Sequence, residues 1–275
     1  MNPTEIIEIT EDEYREYYRA SLAPCIKENT VPHALFHYTN IDTLALILED
    51  KTLRLNSIEK MDDLEEADCF RLKSTNIYTY ASCWTNDSRE SIPMWHMYTN
   101  MFAGIRIEMP PFPFENMDKK THQWGNYDSK IGKWFQEEEQ EKNIWEYIEY
   151  LPMDPYEMLY RVRYTENPML LKPWLSYKLD NHMVTYINEY VMGIFKRINW
   201  DFQHEYRYVI HLGGKEDFYP KSYYDLELSE EALKQMKIVM SPKFSDGNYI
   251  LLKNLLKEFS IDIEPQKSSL TGTIR

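Results

Sequence analysis

The sequence predicts an α+β domain built on a split sheet, mixed or antiparallel, carrying a helical insertion. Three observations lead there. Runs rich in β-formers recur at 35–38, 52–56, 76–84, 103–109, 157–164, 204–210 and 236–240, with helical patterns over 40–50 and 174–198 to pack on them. Only 8 glycines occur in 275 residues, and no G-x-G-x-x-G or Walker loop is present, so neither a Rossmann cofactor site nor a P-loop is available. Between 110 and 156 the composition turns proline-rich, aromatic and acidic, as an insertion into a single domain spanning 1–275 would.

The elements follow in order. Residues 9–22 read as an N-terminal helix with Tyr14, Tyr17 and Tyr18 near one face. Leu35 to Tyr38 is a short buried strand. Thr39-Asn40-Ile41-Asp42 then fits the Ser/Thr-x-x-Asp/Glu cap, opening a helix through Leu44, Ile47 and Leu48. Thr52-Leu53-Arg54-Leu55-Asn56 alternates and makes a second strand, so His37, the helix N-terminus and Asn56 converge on one pocket. Acidic residues at 61–66 open a further helix over 61–72, as the helix dipole favours.

Asn76 to Trp84 is the central strand. Ser91-Ile92-Pro93 starts a short helix in which Trp95 and Tyr98, three apart, share a face. Ala103 to Met109 alternates as the next strand. The insertion holds one helix, about 130–149, whose run Glu137-Glu138-Glu139-Gln140-Glu141 is a solvated face. Residues 174–198 read as the longest helix, with Tyr186, Val191, Ile194 and Phe195 apolar; the strand from His204 to Ile210 follows. A strand at 223–228, a helix after Ser229, the strand Ile238-Val239-Met240, a helix at 246–258 and a last strand at 260–264 complete the chain.

Composition limits the function. A net charge of −14 repels a phosphate backbone, which disfavours nucleic acid as a partner. Cys25, Cys69 and Cys83 have neither metal nor disulfide spacing. The acidic N-terminus lacks an apolar leader and no apolar run is long enough for a membrane span, so the expectation is a soluble cytoplasmic protein. There is no H-E-x-x-H, and the seven histidines are scattered; no metal site is expected. Ser82 lacks a G-x-S-x-G elbow, and Cys83 sits in a β run as a buried thiol would.

What remains is a set of polar residues inside apolar strands: His37, Ser82, Glu205 and Arg207. In Glu205-Tyr206-Arg207 the two charges share one strand face and Tyr206 takes the other. An ion pair of no chemical consequence is one reading. Charges set between buried aromatics usually have a partner or a task, which is the other.

Phe36-His37-Tyr38-Thr39, the loop from Asn56 to Glu65, Met94-Trp95-His96-Met97-Tyr98 and Glu205-Tyr206-Arg207 resemble an uncharacterised bacterial domain family, over roughly 33–265. That family's pattern runs H-Y-T/R, N-D-x-x-E, M-W-x-x-Y, E-x-E-x-R. Here Gln203 replaces the first acid of the last motif, leaving Glu205 alone. The same order of features is more distantly similar to ADP-ribosyltransferases, which include toxins and RNA 2′-phosphotransferases. That resemblance implies NAD bound as a substrate between two halves of a split sheet, with its nicotinamide–ribose bond cleaved. It implies Glu205 as the carboxylate stabilising an oxocarbenium-like state and His37 as the partner of the adenosine ribose. Trp95 and Tyr98 are available to stack on nicotinamide. Arg54, or Thr39 and Asn40 at a helix N-terminus, would supply positive potential for the pyrophosphate, beside Tyr38. Arg207 either joins them or holds Glu205 ionised and oriented. A toxin or phage-defence role, an unidentified acceptor, and an antitoxin or other protein partner belong to the same expectation. A non-catalytic binding module on this fold is the alternative; an RNA 2′-phosphotransferase would need a basic cleft, which −14 opposes.

Overall fold

The structure is a computed structural model that describes residues 31–64, 66, 77–115, 158–171, 174–179, 182–187, 192–213 and 221–274. Along the chain its strands are β1 (Leu35–Thr39), β2 (Thr52–Ser57), β3 (Ile77–Thr85), β4 (Ile105–Met109), β5 (Leu159–Arg161), β6 (Arg163–Thr165), β7 (Trp174–Leu179), β8 (His182–Ile187), β9 (Phe195–Arg197), β10 (Glu205–Gly213), β11 (Tyr223–Glu227), β12 (Lys237–Met240) and β13 (Gln266–Lys267). The helices are α1 (Ile41–Asp50), α2 (Ile92–Tyr98), α3 (Pro168–Leu171), α4 (Glu230–Gln235) and α5 (Asp246–Glu258). The predicted helices at 9–22 and 130–149 lie outside the described residues. Of the one at 61–72, residues 61–64 and 66 are described: Met61, Asp62 and Asp63 are not helical, and Leu64 and Glu66 are.

Nine strands form one mixed sheet, so the α+β expectation holds. β12 and β13 pair in parallel, and its other pairs are antiparallel. β10 runs along the whole of β3, from Glu205 opposite Thr85 to Gly213 opposite Ile77. On the opposite edge of β3 two strands compete. β2 pairs only at Tyr80 and Ala81, and β1 only at Thr85. Ser82, Cys83 and Trp84 therefore face no strand on that edge. The sheet parts here, with β2 and β11 going one way and β1, β4 and β12 the other.

The period of two decides what each face meets. Leu35, Leu53, Leu55, Tyr80, Ile105, Ile107, Tyr206 and Tyr208 project to one side. There they form the main core with Leu44, Ile47 and Leu48 of α1 and Leu252 and Leu256 of α5. The other side carries Tyr38 and Val239, packed with Met94 and Trp95 of α2, and the charged pair of β10. Serines cap three helices: Ser91, Ser229 and Ser245 accept from the backbone N–H of Met94, Ala232 and Asn248. Gly104 is required at the start of β4, because a Cβ there would lie 2.1 Å from the Thr39 carbonyl oxygen.

Three sequence expectations are corrected. Residues 174–198 are not a helix: β7 and β8 form an antiparallel hairpin with Leu179 opposite His182, and β9 follows. Aromatic and β-branched side chains around Asp180-Asn181 are hairpin signals that outweigh the helical spacing of a few apolar positions. Residues 260–264 are not a strand; Ile261 and Ile263 pack against the core, and the pairing comes later, at β13. Thr39 is not the cap of α1. It ends β1 opposite Ile105, and Asn40 takes the cap position without a side-chain bond. Most of the segment read as an insertion, 110–156, lies outside the described residues. Phe114 is buried in the core and bridges Leu228, while residues 116–157 are outside the described set.

Candidate functional site

The parted edge of β3 opens a cleft of about 350 Å³. Ala81, Cys83 and Glu205 line its sheet wall, and Phe36 and Tyr38 line the β1 side. Arg54 and Asn56 come from β2, whose alternation buries Leu53 and Leu55 in the core. Lys60, Met61 and Asp62 form a lip; Tyr98, Lys196 and Gln203 close the far end.

His37 stands in the gap between the two sheet halves. Its ring nitrogen Nδ1 donates to the Cys83 carbonyl at 2.8 Å, so it takes up one backbone acceptor that the missing strand leaves. Burial pushes its pKa down, against the pull of the Cys83 carbonyl. The ring is thus neutral near pH 7, with Nδ1 protonated and Nε2 left as an acceptor. Trp84 packs against it at 5.0 Å between ring centres.

Glu205 starts β10, directly after a 3-10 turn (Ile198–Gln203) that ends on His204 in the left-handed conformation. Its carboxylate is held from three sides. Arg207 Nε donates to Oε1 at 2.6 Å and Nη2 to Oε2 at 3.2 Å, while Lys196 Nζ reaches Oε2 at 3.1 Å. Arg207 is fully buried and also grips Glu66, Nη1 to Oε1 at 2.6 Å and Nη2 to Oε2 at 3.0 Å. Its Nη1 donates again to the Gly193 carbonyl. Two carboxylates and two cations thus form a buried, neutral quartet. Burial alone would raise the Glu205 carboxyl; Arg207 and Lys196 outweigh it and hold the group at about 2. Burial, with Glu205 beside it, pushes the Cys83 thiol up and keeps it protonated.

A polar chain runs from this floor to the lip. Lys196 Nζ donates to Gln203 Oε1 at 2.9 Å, and Gln203 Nε2 donates to the Tyr98 hydroxyl at 2.6 Å. Burial and the carboxylate of Asp62, to which Tyr98 is hydrogen-bonded, raise the phenol pKa.

The cleft thus gathers His37, Tyr38, Arg54, Tyr98 and Glu205 from the predicted residues. Arg207 lies behind Glu205 and braces it, with no surface to offer a ligand. Trp95 is fully buried; its ring meets Tyr38 edge-on at 4.8 Å and its Nε1 donates to Glu90, so no face is free for stacking. Thr39 is buried in the β1 ladder, and α1 presents Thr43, Ile47 and Asp50 to the cleft rather than its N-terminus. Arg54 is matched by both oxygens of Asp225, at 2.8 and 2.9 Å, so it brings little free positive charge.

Sequence reasoning gave no role in the site to Glu66, Lys196 or Gln203. Glu66 was covered by the explanation that acids favour a helix N-terminus. Lys196 is 4 % exposed, yet it sits beside Arg197 in the sequence, and two adjacent charges give no local sign of burial. Among the described residues no group of His, Cys, Asp or Glu side chains could hold a metal ion, and no helix is long and apolar enough to cross a membrane. No protein-family model matches this chain, and neither a curated protein nor a solved structure is found to be similar to it.

Proposed function

We propose that the chain is an NAD-cleaving enzyme of the ADP-ribosyltransferase type, acting at the cleft where the sheet parts. The observation that carries this reading is an ionised carboxylate, Glu205, fixed at the floor of a cleft that the neutral His37 also lines. In the proposed step the bond between ribose C1′ and the nicotinamide nitrogen breaks, and its electron pair leaves with nicotinamide. Glu205 stabilises the oxocarbenium-like ribose that remains. Water or an acceptor nucleophile then bonds to C1′ and gives up its proton to solvent. Arg207 and Lys196 keep Glu205 charged, and preorganisation of that kind requires no rearrangement during the step. His37 Nε2 accepts from a ribose hydroxyl.

The same quartet favours a second reading, a binding module without catalysis. Glu205 is already engaged by three donated hydrogen bonds, and a carboxylate so fully paired can serve stability alone. The two readings separate on incubation with NAD. The catalytic one predicts free nicotinamide, detectable by chromatography. The binding one predicts a rise in melting temperature with NAD or a fragment of it and no nicotinamide. Absence of both ends the NAD reading.

A further inference from the structure

We infer that Arg54 is a stacking platform for a planar heteroaromatic group, and so marks the ring-recognition end of the cleft. The inference rests on reading the cleft as a site for a nucleotide-like ligand, but not on that site being catalytic. A guanidinium can serve a ligand as a cation, as a hydrogen-bonding fork, or as a flat π surface. The first two uses are largely spent. Nε and Nη2 donate to the two oxygens of Asp225 at 2.8 and 2.9 Å, which neutralises the charge and occupies the fork. Nη1 alone has no hydrogen-bond partner among the described residues.

The plane is different. One face lies on the ring of Tyr223, with Cζ 3.5 Å from the ring centre, so the guanidinium is held flat from behind and along one edge. The side chain is still 39 % exposed, and Arg54 lines the cleft. With Tyr223 on one face and Asp225 on one edge, the outer face remains for the cleft. A ring laid there would complete a three-layer stack, ring on guanidinium on Tyr223. The Asn56 amide, exposed and two residues along the same strand face, is placed to meet the ring's polar edge. This fixation matters because a side chain already rigid loses little freedom on binding. It gives Arg54 a role different from the pyrophosphate contact that the resemblance implies.

Adenine and nicotinamide share the required chemistry, and a titration followed by ligand NMR distinguishes them. Wild-type protein is titrated separately with adenosine, with nicotinamide and with ribose 5-phosphate as a sugar phosphate lacking a ring. At least one of the ring compounds should bind, and Arg54→Lys, which keeps the charge but removes the plane, should weaken it about tenfold. Ribose 5-phosphate should be unaffected by that change. Tyr223→Leu, which removes only the backing ring, should weaken the same compound in the same direction, and it carries the test if Arg54→Lys does not fold. Adenosine binding alone assigns the platform to the purine; nicotinamide binding alone assigns it to the leaving group. Failure of both ring compounds to bind overturns the inference, as does unchanged ring binding in the folded variants. A loss of ribose 5-phosphate in step with the ring compounds also overturns it, by making Arg54 a phosphate ligand. Ring binding without nicotinamide release from NAD would sink the catalytic reading and leave this one standing.

Discussion

Arg207→Met removes the cation at the centre of the buried quartet while nearly keeping its volume. Four hydrogen bonds to two carboxylates and one to the Gly193 carbonyl disappear together. Glu66 and Glu205 are then left with Lys196 alone, which contacts Glu205 at 3.1 Å and Glu66 at 3.8 Å. A buried pair broken on one side costs about 3–5 kcal/mol, because the remaining charge stays desolvated. For a chain of this size that is a fall of about 10 °C in melting temperature. The loss should depend on pH in a set direction. Without Arg207 the carboxylates bind protons more readily in the folded state, so the variant's deficit against wild type shrinks as pH falls from 8 to 5. Adding Glu66→Gln should recover part of the loss, since it removes one of the stranded charges, and the two changes should be strongly non-additive. Urea denaturation at both pH values reads all three effects. A deficit under about 1 kcal/mol, or an equal deficit at both pH values with no recovery by Glu66→Gln, would refute the account of the quartet.

Other consequences are more local. The Glu205 carboxyl sits at about 2 in the fold against an ordinary 4.5, so the stability it contributes is present above 4.5 and is lost as pH falls from there towards 2; Glu205→Gln should flatten that limb of an acid-denaturation curve. His37 is shifted in the same direction: its folded pKa lies below 6.5, so the unfolded chain takes up a proton first and stability falls as pH drops below 6.5. His37→Gln should remove that slope. Gly104→Ala drives a Cβ onto the Thr39 carbonyl and the Thr99 side chain, and should cost about 1–3 kcal/mol by thermal unfolding. Replacing 116–157 with a short linker should leave a single cooperative transition, whereas a cut that also takes Phe114 should lower its midpoint, because Phe114 belongs to the core.

Much of the sheet is legible in the sequence, because strands with one buried face write an alternation into the chain. Thr52 to Asn56 and Tyr223 to Glu227 are examples, and Ser91, Ser229 and Ser245 mark helix starts in the same local way. The hairpin of β7 and β8 was obscured by apolar residues that happen to fit a helical period. Long-range convergence is not written at all. Arg207 meets Glu66 across 141 positions, and Arg54 meets Asp225 across 171. Glu205 and His37 could be singled out as polar residues in apolar strands. That Cys83 links them, and that Arg207 turns inward while Lys196 faces the cleft, follows only from the register of β3 with β10 and from the turn after β9.

The proposed chemistry is tested most directly by nicotinamide release from NAD, measured for wild type and Glu205→Gln beside their melting temperatures and NAD affinities. If Glu205 stabilises the oxocarbenium-like state, release should fall by about 10²-fold or more. Affinity for NAD should change far less, because the interaction matters mainly in the transition state. A wild type that releases no nicotinamide would contradict the claim, as would a Glu205→Gln variant that loses stability and keeps its activity.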